Sequence, residues 1–309
     1  MEFFPFSCDN GEAWFVPVHP FSFLFSMKRS AFTLVELLVV IAVVALLVAI
    51  LIPAVNAARE HARRNQCLTQ QRSLAVAMID YSKANNGLPG YLNELGSTPI
   101  HSWAIAIFPM IGEQTRYESL MSGSPTSEAR VSPSALLCPS SDRPERTTPQ
   151  LHYVVNCGPT TNVTNNSDTA IALTLFRDRR SGLTTINRRI KIEDIPDGTS
   201  NTILLSENVD AGRWHQDWTS AFPPNEFDNT RSSAAIAELG FIWENSATFA
   251  PNFSPPSPSL GLSRPSSRHP GAVIAAFADG SARPINDNID IWDWLKFVCP
   301  DDKKAEFTP

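Results

Sequence analysis

The run Lys28-Arg29-Ser30-Ala31-Phe32-Thr33-Leu34-Val35-Glu36 continues as LLVVIAVVALLVAILIP over residues 37–53, and its reading decides the architecture. Two basic residues and a small residue precede an unbroken apolar stretch. From Phe32 to Ile52 the run reaches the roughly 20 residues that span a bilayer as a helix. A cleavable secretory signal has its small-residue site after the apolar region; here Ala31 comes before it. Glu36 sits inside the apolar run. An ionisable group in a membrane helix costs about 2.5–3.5 kcal/mol at the bilayer centre, less near an end, and normally marks a function with a partner.

This stretch resembles the cleavage and methylation site of type IV prepilins and type II secretion pseudopilins. The resemblance implies cleavage between Ala31 and Phe32 by a prepilin peptidase, and N-methylation of Phe32. Ala31 stands where that pattern has Gly; both are small. The resemblance also implies an assembly role for Glu36. Its carboxylate would pair with the new terminal amine of a neighbouring subunit, removing two unmatched charges from lipid. Snorkelling of Glu36 to the interface is the plainer alternative.

The rest of the chain fits an anchored extracytoplasmic protein. It has 309 residues, 43% hydrophobic, and a formal charge of −6, which is no nucleic-acid-binding balance. Residues 1–26 are aromatic and acidic, unlike a leader. Met27 reads as the native start, so that residues 1–31 comprise a possible upstream extension and a short basic leader. Lys28 and Arg29 flank one side of the apolar run and Arg59, Arg63 and Arg64 the other, so charge does not orient it. The leader resemblance places it as a single-pass inner-membrane protein with its C-terminal domain in the periplasm.

Past Pro53, expected to kink the helix, no Pro or Gly recurs until Gly87. Leu68, Leu74, Ala75, Met78, Ile79 and Tyr81 repeat at helical spacing, with Arg59, Arg63, Arg64 and Gln70 outward. One helix is therefore expected from Phe32 to about Lys83: membrane segment 32–53, amphipathic spine 54–87. Residues 88–309 form the remaining domain. From residue 135, strand-like runs (LLCP, LHYVVNCG, TAIALTLF, TILLSEN, GFIWEN, AVIAAFA) alternate with turn residues. The fold class is α+β and pilin-like, a long N-terminal helix on a mainly antiparallel sheet. Residues 251–268 and the basic stretch 177–189 read as loops.

Two turns stand out. Asp279-Gly280 joins AVIAAFA to SARPI as a hairpin, with His269 at the far end of its first strand. A straight strand of that length holds His269 and Asp279 more than about 20 Å apart, so they do not form a catalytic pair; His269 is expected to bond loop backbone. Asp197-Gly198 precedes the strand ending in Glu207. The leader, Cys138-Pro139-Ser140, DGTSNTILLSE and the H-X9-DG ending together resemble the planctomycete family DUF1559, from Lys28 to about Ile291. That resemblance sharpens architecture and export route, and supplies no catalytic residues.

Without Cys8, four cysteines remain, and four allow three pairings. Cys138–Cys157 is the preferred disulfide, worth about 3 kcal/mol in an oxidising compartment. Their spacing gives no zinc pair. Asp194, Asp197, Asn201 and Asp279 are possible Ca²⁺ donors, but turns use these residues for backbone reasons. No metal and no cofactor is expected. Trp214, Trp218, Trp243, Trp292 and Trp294 could form a sugar platform, though packing is their commoner use. GxSxG, HExxH and Gly-rich phosphate motifs are absent, so no enzyme is expected. The expected function is a pseudopilin-like subunit of a type II secretion or type IV pilus-like machine, with prepilin peptidase, like subunits and an assembly platform as partners. The alternative is an anchored binding module, with carbohydrate as the candidate ligand, that uses the pilin segment only for export.

Overall fold

A computed structural model describes residues 33–94, 100–123, 127, 130–141, 149–159, 175–176, 178–179, 189–215, 238–243, 250–252 and 264–305. The chain divides into two units, Met1–Pro53 and Ala54–Pro309. Helix α1, Leu34–Asn85, runs through Pro53 without interruption.

The start of α1 is set by a capping box, Thr33-Leu34-Val35-Glu36. Thr33 Oγ1 accepts the Glu36 N–H (3.2 Å), and Glu36 Oε2 accepts the Thr33 N–H (2.9 Å) and hydroxyl (2.9 Å). Such reciprocal bonds satisfy amide donors that a helix start leaves unpaired. The large apolar side chains from Leu34 to Ile52 are all exposed. Of the helices among the described residues, α1 alone is long and apolar enough to cross a membrane. At its other end Asn86 (φ 58°) and Gly87 (φ 139°) stop the helix, and Gly87 N–H donates to Ser82 C=O at 2.7 Å. A Cβ at Gly87 would run into Arg189. Arg189 donates to the Asn85 carbonyl and Arg179 to that of Leu88. The expected solvated basic loop thus has two members that satisfy carbonyls at and just beyond the C-terminal end of α1, where cations are favoured.

The second unit is built on two sheets. Short β1 (Leu92–Asn93), β2 (His101–Ser102) and β4 (Asp178–Arg179) make the smaller one, in the order β2-β1-β4. The larger contains β3 (Tyr153–Pro159), β5 (Ile203–Glu207), β6 (Gly240–Trp243), β7 (Ala272–Phe277) and β8 (Ala282–Asn286), ordered β6-β3-β5-β7-β8. All neighbours in it are antiparallel except β3 with β6. β3, β5 and β7 are buried along their whole length, as continuously apolar strands are when both faces are covered. LLCP, expected as a strand, instead begins as a 3₁₀ turn, Ser134–Leu136. TAIALTLF lies outside the described residues but for Leu175 and Phe176.

The second half of α1 lies against β7 and β8. Gln71 Nε2 donates to Ile274 C=O (3.0 Å) and Arg72 to Ala282 C=O (3.2 Å). Its buried stripe is Cys67, Gln71, Leu74, Ala75, Met78 and Ser82, joined by Ala77 and Tyr81. The expected face is therefore real but rotated: Leu68 and Ile79 are only half-buried, and Arg63 and Gln70 are not outward. Helix α2, Ile291–Val298, is N-capped by Asp290, whose Oδ1 accepts Trp292 N–H at 2.8 Å. It meets the sheet through Phe297, edge-on to Phe277, the ring centroids being 5.8 Å apart.

Asn156 on β3 joins these parts. Fully buried, its Nδ2 donates to Ile203 C=O (3.0 Å) and Val298 C=O (2.7 Å), and its Oδ1 accepts Trp243 Nε1–H (3.3 Å). Oδ1 also accepts the Gly158 N–H (3.1 Å), so replacement with Ala removes four hydrogen bonds at once. Asn156→Ala is expected to lower stability by about 2–4 kcal/mol, read from urea unfolding of the full chain in detergent.

Candidate functional site

One face of α1 is polar where it reaches the sheet. Glu60, Arg63, Cys67, Gln70 and Gln71 fall within three turns of one another, and side chains spaced by three, four and seven share a side. Opposite them stand Glu207, at the end of β5, and His269, just before β7. Cys138, after the 3₁₀ turn, completes the cluster. The ligand-forming atoms of Cys67, Cys138, Glu207 and His269 all lie within 4.8 Å of one another.

Glu207 is 2% exposed and His269 2%, so both need partners. Glu207 Oε1 meets Cys67 Sγ (2.5 Å), Cys138 Sγ (3.3 Å) and His269 Nε2 (3.3 Å). Its Oε2 accepts the Ile274 N–H at 3.2 Å. His269 Nδ1 lies 2.6 Å from Glu60 Oε1, and Nε2 lies 3.7 Å from Cys138 Sγ. Arg63 in turn pairs with Glu60 Oε2 at 2.5 Å and donates to Ser140 Oγ at 3.2 Å. Tyr153 OH donates to Gln70 Oε1 (2.8 Å) and lies 3.2 Å from Cys67 Sγ. His152 Nδ1 accepts the Cys138 N–H at 3.0 Å, which fixes the cysteine's loop. A shallow pocket lined by Cys138, Ser141, His152, Glu207, Ser266 and Arg268 leads to the cluster.

The electrostatics follow from burial against pairing. Burial works against a charged His269, but its bonds to Cys138 and Glu207 prevail and push it up to about 10. Burial opposes ionisation of Glu207, yet His269 holds it below the ordinary carboxylate value. The hydrogen bond with Cys67, with help from His269, brings Cys138 down to about 7, whereas burial drives Cys67 up. The metal-free cluster therefore carries positive charge on His269 between two carboxylates.

His269 bonds side chains, not loop backbone as expected. Asp279 and Gly280 lie at the opposite end of the β7–β8 hairpin, where Asp279 Oδ1 accepts Ser281 N–H at 2.8 Å. Asp197 and Gly198 belong to a separate turn. Asp197 Oδ2 accepts Asp302 N–H at 2.7 Å, and Gly198 takes φ 87°. Asp197 groups with Cys299 and Asp302 and not with Asp194 or Asp279. The expected Cys138–Cys157 disulfide is not made; both are free thiols. Cys157 packs on β3 against Gly240, where a Cβ on Gly240 would collide with its sulfur, while Cys138 turns to the cluster. Trp214, Trp243 and Trp294 are buried, which removes them from any sugar platform; Trp292 is half-buried, and Trp218, like Ala31 and Phe32, lies outside the described residues. Sequence reasoning missed Glu60, Cys67, Glu207 and Cys138 as companions of His269, since no local spacing links them.

The family model described as "Protein of unknown function (DUF1559)" matches residues 56–291. The chain belongs to the DUF1559 family. The matched span contains the whole cluster, from Glu60 to His269. The prokaryotic N-terminal methylation motif matches residues 26–52, which makes this DUF1559 member type IV pilin- or pseudopilin-like at its N-terminus. No curated protein and no solved structure matches the chain.

Removing the Glu207 carboxylate leaves His269 buried with half its counter-charge. Glu207→Ala is expected to cost about 3–5 kcal/mol, measured as a lower midpoint in chemical unfolding of the full chain. Glu36→Ala, outside the second unit, should leave that unit's transition unchanged.

Proposed function

We propose that the protein is a structural, pseudopilin-like subunit of a type II secretion or type IV pilus-like system. The N-terminal methylation motif over residues 26–52 carries this reading. A prepilin peptidase cuts between Ala31 and Phe32, Phe32 is N-methylated, and residues 32–53 anchor the subunit in the inner membrane. The second unit then faces the periplasm, and like subunits and an assembly platform are the partners. The role is structural and not catalytic.

Physical chemistry supports the assembly step. The exposed apolar side chains of Leu34–Ile52 need either lipid or neighbouring helices around them. Glu36 spends Oε2 on the capping box, and Oε1 takes no bond from a described residue. That second oxygen suits the terminal amine of an adjacent subunit.

Intact-mass and N-terminal analysis of protein from its native membrane is expected to give a chain starting at methylated Phe32. A chain beginning at Met27 or Met1 rules the reading out. Glu36→Gln separates capping from charge, because Gln in that place still accepts the Thr33 N–H. Both Glu36→Gln and Glu36→Ala should be cleaved and membrane-bound yet fail to enter filaments, scored by shearing and immunoblot. Normal incorporation of the Gln variant would show that no charge pairing is used.

A further inference from the structure

We propose that Cys67, Cys138, Glu207 and His269 form a closed, structural binding site for Zn²⁺. Two thiols, an imidazole and a carboxylate are the donor types of structural and catalytic zinc sites. Hard cations such as Ca²⁺ and Mg²⁺ take oxygen ligands instead, so a pair of cysteines selects against them.

The spacing fits the ion. Zn–S bonds near about 2.3 Å and Zn–N or Zn–O bonds near about 2.0–2.1 Å place tetrahedral ligand atoms about 3.3–3.8 Å apart. The observed edges include Glu207 Oε1 to His269 Nε2 at 3.3 Å, Cys138 Sγ to Glu207 Oε1 at 3.3 Å, and Cys138 Sγ to His269 Nε2 at 3.7 Å. The edge from Cys67 Sγ to Glu207 Oε1, at 2.5 Å, is shorter. A thiol proton occupies that edge in the metal-free form, and Zn²⁺ in its place would open it by about 1 Å. Binding releases the two thiol protons and the second imidazole proton, and four protein ligands leave no open position for substrate.

The surroundings are those of a metal site. His269 Nδ1 faces Glu60 at 2.6 Å, and Arg63 holds Glu60. A carboxylate on the outer ring nitrogen selects the tautomer whose Nε2 lone pair points at the metal. The Ile274 N–H orients Glu207 through Oε2, and Tyr153 OH approaches Cys67 Sγ. The four ligands come from α1, the loop after the 3₁₀ turn, β5 and the segment before β7. An ion here would clip the helical spine to the sheet.

The test uses the full chain in detergent, purified under reducing conditions without chelator. Elemental analysis is expected to give about one zinc per chain. Exchange with Co²⁺ should give the visible d–d bands of a tetrahedral ion and a thiolate charge-transfer band. Cys138→Ser, a half-buried near-isosteric change, should abolish the charge-transfer contribution of that sulfur and weaken Zn²⁺ binding. Cys157→Ala should leave metal content intact. Glu60→Gln should weaken Zn²⁺ binding about 10–100-fold, by less than Cys138→Ser does. Added Zn²⁺ should raise the unfolding temperature of the wild-type chain and not of Cys138→Ser. Substoichiometric zinc after incubation of the reduced protein with Zn²⁺, a Cys67–Cys138 disulfide in protein from the native membrane, or stoichiometric iron or copper in its place would each overturn the assignment.

Discussion

The carboxylate of Glu207 is the constraint on which the second unit depends. It is ionised, almost wholly buried, and placed where the helix, the sheet and two loops meet. A buried charge is tolerated only with good partners on every side. Glu207 finds them in His269, two thiols and a backbone amide. Each comes from a different segment, so the carboxylate fixes the rotation of α1 on the sheet and the path of the strand-connecting chain. An apolar stripe alone would let the helix slide or turn at little cost. Leu74, Ala75 and Met78 supply burial, whereas Cys67 and Gln71 supply register.

The first unit obeys a different rule. The large apolar side chains of its helix are exposed, and its polar start is closed locally by Thr33 and Glu36. The carboxylate thus has a local function whatever its partners outside the chain. A capping box at this place keeps the first amides satisfied where water is scarce. Capping and pairing with a neighbour are compatible because the two carboxylate oxygens can serve them separately.

Some elements were readable because their signals are local. The apolar run and its following Pro-free stretch dictate one long helix, and Asn85-Asn86-Gly87 its end. Asp279-Gly280 dictates a hairpin, and the structure has one. Other readings failed for equally physical reasons. Apolar periodicity alone leaves Cys67 and Gln71, polar groups buried by specific bonds, off the helical face. Arg189 looked solvated because its acceptor is the carbonyl of Asn85, far away in sequence. Sequence leaves three pairings of four cysteines open, and Cys138–Cys157, the preferred one, is not made, because tertiary packing puts Cys138 with Cys67 and His269.

By itself the sequence determined the long apolar helix, the class of the fold and the family. All of these rest on interactions between residues a few positions apart, or on composition. The tertiary structure alone decided the cluster of Glu60, Cys67, Cys138, Glu207 and His269. Its members are polar groups scattered along the chain, and no spacing between them carries a signal. They meet only because hydrophobic burial folds helix and sheet together, and the groups caught in that joint must then satisfy one another.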